Sequence, residues 1–133
     1  MTSTPPRQHL SIDKASIVIR VKTTFSIWTT QITPHMPRTS RYTLGARIEN
    51  NFLDLLELIY QAYYVEANKK SEKIILCISK NDLIKYFLQI AWENKLIKDH
   101  LYTEVIIKIE EIGRILGGWK NSVEEKQKIP HKK

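Results

Sequence analysis

The chain has 133 residues, 42% of them hydrophobic, enough for one domain with a real core and too few to suggest two. Its net charge of +7 is segregated: residues 1–48 hold seven basic residues against one acid, residues 49–125 ten against thirteen, and residues 126–133 four against none. The single cysteine, Cys77, excludes an intramolecular disulfide framework, no apolar run approaches the roughly 20 residues that cross a membrane, and no signal-peptide core is present, so a soluble, cytoplasmic protein is expected.

Residues 1–12 are expected to be a flexible segment, with the folded domain spanning residues 13–122. The first predicted helix covers residues 13–32, where Ile17, Val21, Phe25, Trp28 and Ile32 recur in steps of three and four. Its β-branched residues favour a strand, but Ile17-Val18-Ile19 breaks the alternation a half-buried strand needs. Pro34 and Pro37 end it, and Thr39 or Ser40 is the expected N-cap of the second helix, residues 40–67. There Leu44, Ile48, Phe52, Leu55, Ile59 and Ala62 form the stripe, widened by Leu53, Leu56, Tyr60 and Tyr63.

After a polar break at residues 68–71, a third helix (71–95) presents Ile74, Cys77, Ile78, Ile84, Phe87, Leu88, Ala91 and Trp92. The fourth (98–119) presents Leu101, Val105, Ile109, Ile112 and Leu116. The break between them contains neither Gly nor Pro; length demands it, because an unbroken helix over residues 71–119 would extend about 70 Å. Gly117-Gly118 is the expected stop, with residues 123–133 a basic, disordered tail. The expected fold class is all-α, an up-down-up-down four-helix bundle.

Catalytic constellations are missing from the sequence. No two of His9, His35, His100 and His131 stand at metal-ligand spacing, no phosphate-cradling glycine loop occurs, and Cys77 lies in an apolar stripe as a core filler. A non-enzymatic protein without metal or cofactor is expected. Arg38 and Arg41 sit at the entry of the second helix, where the macrodipole disfavours a cation by about 0.3–1 kcal/mol. Beside free backbone N–H groups they suit a phosphate, with Arg47 extending the site. Pairing with carboxylates of a neighbouring helix or subunit is the alternative. Lys69, Lys70 and Lys73 repeat the theme, with Glu66 and Glu72 at hand to neutralise them. Gly113, inside a helix, implies a neighbour too close for a β-carbon. Trp119, expected just past the helix end, closes the core or lies between subunits.

The stretches PRTSRYTLGARI, QAYY and EIGRILGGWKNS together resemble the accessory variability determinant family of diversity-generating retroelements. They also resemble the wider group of small four-helix-bundle proteins that includes rRNA intervening-sequence proteins. The resemblance spans residues 17–122, resting on PxxxRYTLGxxI at the second helix entry and GRxLGGWxxS near the end. It implies a ring-like homo-oligomer, a pentamer of four-helix protomers. It also implies binding to the element's reverse transcriptase and, with little sequence preference, to RNA and DNA in support of mutagenic retrohoming. Arg38, Arg41 and Arg47 match its basic positions, Arg20 and Lys22 are further candidates, and Arg114 and Lys120 fall in the C-terminal motif beside Gly113, Gly117, Gly118 and Trp119. The alternative is an interaction protein of the intervening-sequence type with no polymerase partner.

Overall fold

A computed structural model of the chain describes Ile12 and residues 15–128; the rest of the expected N-terminal segment, and residues 129–133 of the tail, lie outside the described residues. Every regular element among the described residues is helical. Helix α1 is Ser16–Ile27, α2 is Ala46–Tyr64, α3 is Ala67–Glu93 and α4 is Asp99–Lys128.

The β-branched tract of α1 is accommodated by its hydroxyls. Thr23 and Thr24 donate to the carbonyls of Ile19 and Arg20, each at 2.8 Å, so even the fully buried Thr24 carries no orphaned group. Past Ile27 the helix widens into a π turn, Trp28–Ile32, which keeps both Trp28 and Ile32 in the core. A 3₁₀ turn, Thr33–His35, follows. The second helix begins earlier than expected, with a turn at Arg38–Ser40 after Pro37, and passes through a second π turn, Arg41–Gly45, into α2. Neither Thr39 nor Ser40 acts as N-cap, because Pro37 holds that position and no side chain caps the turn.

Ile48, Phe52, Leu55, Ile59 and Ala62 of α2 are all fully buried, and Phe25 and Trp28 pack on Phe52 with ring centroids 5.8 and 6.4 Å away. The break to α3 is Val65-Glu66, not residues 68–71, which form its first turn instead. Lys70 makes this tight connection possible. Its ammonium donates to the carbonyls of Ala62 and Tyr63 at 2.8 and 2.9 Å, satisfying the C-terminal end of α2.

Helix α3 buries Ile74, Cys77, Asn81, Ile84, Leu88 and Ala91, an unbroken three-four spacing that packs between α2 and α4. It ends without glycine. Lys95 takes φ of +61°, its N–H bonds the Trp92 carbonyl, and the Leu96 N–H bonds the Ala91 carbonyl. This is the Schellman arrangement with lysine in the place usually held by glycine.

The stop expected at Gly117-Gly118 does not occur, and α4 continues to Lys128, so most of the expected basic tail is helix as far as that residue. Its extension is tied down: Trp119 and Val123 pack against the core, Ser71 donates to Glu124 at 2.8 Å, and Gln127 donates to the Ala67 carbonyl at 2.7 Å. No helix of the described residues is long and apolar enough to cross a membrane.

Candidate nucleic-acid interface

The predicted basic residues divide by what their side chains touch. Arg41 is spent internally: half-buried, it donates through Nη2 to the carbonyls of Met36 and Pro34, at 3.1 and 3.3 Å. It thereby latches the proline corner joining α1 to α2. Arg38, three residues earlier, is exposed, its guanidinium 5.9 Å from the ring centre of Tyr42, itself 66% exposed. An arginine beside an exposed aromatic ring offers charge to a phosphate and a π-face to a base. Arg47 is exposed and lies over the Phe87 ring of α3 at 5.5 Å.

Arg20 bonds Glu111 of α4 at 2.8 Å, with both side chains about two-fifths exposed, so the pair contributes under about 1 kcal/mol. Lys22 is exposed, but two positions from Arg20 it points to a different side of α1. Arg114 is exposed on α4. Lys120 bonds Glu124 at 3.1 Å; the Ser71 hydroxyl first, then the Lys120 ammonium, hold that carboxyl below the usual glutamate range. Lys69 and Lys73 meet Glu66 and Gln61. These contacts place Arg20 at the α1–α4 seam and Arg47 at the α2–α3 seam. A single protomer therefore does not gather the predicted cations into one patch.

Gly113 behaves as its position implies. A β-carbon there would lie 3.3 Å from Nδ2 of Asn81, which donates at 3.0 Å to the Ile109 carbonyl. A β-carbon at Gly117 or Gly118 would meet nothing within 4 Å, and both lie inside α4, so neither caps the helix nor makes room for a close neighbour within the protomer. Trp119 lies inside α4 and is half-buried against the core, not beyond the helix end. Burial pushes the Cys77 thiol up to about 12, which leaves it un-ionised at neutral pH. Among the described residues no cluster of three or more His, Cys, Asp or Glu could hold a metal ion.

One feature was not legible as a site. At the end of the bundle where α3 turns into α4, a cleft of about 930 Å³ is lined by His35, Trp92, Lys95, Lys98 and His100 among others. His35 stands some sixty positions from the rest, so only the fold brings it there.

The protein is a small all-helical bundle with exposed cations at its seams and ends, two of them, Arg38 and Arg47, beside aromatic rings. The chain belongs to the bAvd-like family, whose model matches residues 17–123. No curated protein matches it.

Proposed function

We propose that the chain is a non-catalytic accessory protein of a diversity-generating retroelement. It binds the element's reverse transcriptase together with RNA and DNA, and so supports mutagenic cDNA synthesis and retrohoming. The family match over residues 17–123 carries this reading. Charge supports it: +7 on 133 residues, with Arg38, Arg47 and Arg114 exposed, favours polyanions through counterion release.

The outer surface supports a ring of several copies, with five the number the family resemblance implies. Helix α3 carries apolar side chains outward as well as inward, for Ile75, Leu76 and Tyr86 are 43%, 48% and 58% exposed while Ile74, Cys77 and Leu88 face the core. Large apolar side chains left exposed on a soluble bundle mark a surface that a partner covers. Leu53 of α2 and Ile107 of α4 are also exposed, at 47% and 57%.

The test is light scattering of the purified protein, alone and with labelled single-stranded RNA, at low and high salt. The expected result is a multimeric mass that shifts with RNA at low salt only. A monomer indifferent to RNA refutes the reading, and an oligomer indifferent to RNA favours the intervening-sequence alternative.

A further inference from the structure

The cleft at the α3–α4 turn is built from two distant pieces of chain. His35 comes from the 3₁₀ turn after α1, while Trp92, Lys95, Lys98, Asp99 and His100 come from the end of α3 and the start of α4. The one carboxylate among these six, Asp99, accepts the Trp92 indole N–H at 2.9 Å. That bond holds the indole in place, and a parallel stack on Tyr102, 4.7 Å between ring centres and 9° between planes, holds it from one side. Trp92 nevertheless stays 38% exposed. The result is a rigid aromatic ring on a cleft that also presents two ammonium groups and two imidazoles.

Lys95 adds a second observation. In the left-handed region a non-glycine residue costs about 1–2 kcal/mol, and glycine would end α3 equally well. Strained non-glycine residues of this kind cluster at binding and active sites. Here that side chain lines the cleft beside Lys98.

We propose that this cleft binds an unpaired nucleotide of single-stranded RNA or DNA, its base against Trp92 and its phosphates against Lys95, Lys98, His35 and His100. The inference rests on the nucleic-acid reading above and deepens it by naming the strand state of the ligand. A volume of about 930 Å³ is on the scale of pockets that enclose small molecules, about 300–1,000 Å³. Bases in a duplex are stacked on one another and unavailable to an indole, so the cleft discriminates against paired strands.

The probe is a fluorescently labelled oligo-uridylate of about 12 nucleotides, titrated by anisotropy beside a blunt duplex of equal length. Lys98→Ala combined with His100→Ala is expected to lower single-strand affinity about tenfold and to reduce the salt slope by about one to two. Duplex affinity and thermal midpoint stay at the wild-type values. Lys95→Gly is expected to weaken single-strand binding while raising the thermal midpoint, a pairing that a purely structural lysine would not give. Trp92→Phe retains most of the affinity and Trp92→Ala loses about tenfold. Wild-type affinity in the Lys98/His100 and Lys95 variants overturns the cleft. If Arg38→Ala with Arg47→Ala abolishes binding while those variants do not, the cleft falls and the nucleic-acid reading stands. If the wild type binds neither probe, both fall.

Discussion

Gly113 and Asn81 form a contact whose energetics can be separated. Alanine at a helix-interior glycine gains about 1 kcal/mol from propensity alone. At Gly113 the new β-carbon would come within 3.3 Å of the Asn81 Nδ2, inside the usual contact distance. Asn81 is 2% exposed and its Oδ1 has no partner, so the Nδ2 bond to the Ile109 carbonyl is the one hydrogen bond its side chain makes in the structure. Displacing that amide by a few tenths of an ångström weakens a bond that contributes about 0.5–1.5 kcal/mol. The two effects nearly cancel, so Gly113→Ala is expected to change wild-type stability by less than about 0.5 kcal/mol. With Asn81→Ala as background the obstruction is gone, and the same substitution gains the full amount of about 1 kcal/mol. Urea unfolding of the double-mutant cycle, at a common m, reads the coupling directly. A gain of about 1 kcal/mol in both backgrounds would refute the idea that Asn81 dictates the glycine.

Other positions give sharper single tests. Arg41→Ala removes two charge-assisted bonds and is expected to lose about 1–2 kcal/mol in urea unfolding, whereas Arg38→Ala stays within about 0.5 kcal/mol. Equal effects would place both arginines in the same role. Gly118→Ala, with open space around it, is expected to add about 0.5–1 kcal/mol and raise the thermal midpoint. Cys77, fully buried with its thiol pushed up to about 12, is expected to resist iodoacetamide in buffer and react promptly in urea. Glu124, whose carboxyl is held below its ordinary value, adds stability present above the unfolded glutamate pKa of about 4.3 and lost as pH falls through the lower folded value. Thermal melts of Glu124→Gln and wild type should therefore differ at neutral pH and converge in acid.

The inward stripes were legible because burial repeats every three or four residues, and Ile48, Phe52, Leu55, Ile59 and Ala62 all lie where that spacing puts them. Helix ends were less legible, because long-range contacts decide them. Gly117-Gly118 has the composition of a stop, yet Trp119 directly after it and Val123, Glu124 and Gln127 further on find partners, and those contacts outweigh the glycine penalty. The turn after α3 carried no glycine signal because Lys95 adopts the conformation itself. Charge alone did not separate Arg38 from Arg41 either. Their difference lies in the Pro34 and Met36 carbonyls, which the bent chain leaves within reach of Arg41. The cation cleft was hidden for the same reason, since His35 reaches it only through folding.

The two hairpins, α2 with α3 and α3 with α4, have connections of only two and five residues, whereas α1 packs on α4 across most of the chain. Short loops close early and long ones late, so the order of assembly is written into the connectivity. The α2–α3–α4 hairpins are expected to form as a unit, with α1 docking last and shutting Trp28 over Phe52. The converse holds for opening. Amide exchange should be slowest at the centre of α3, while α1 should swing away at lower free energy than global unfolding, uncovering Phe52 as it goes.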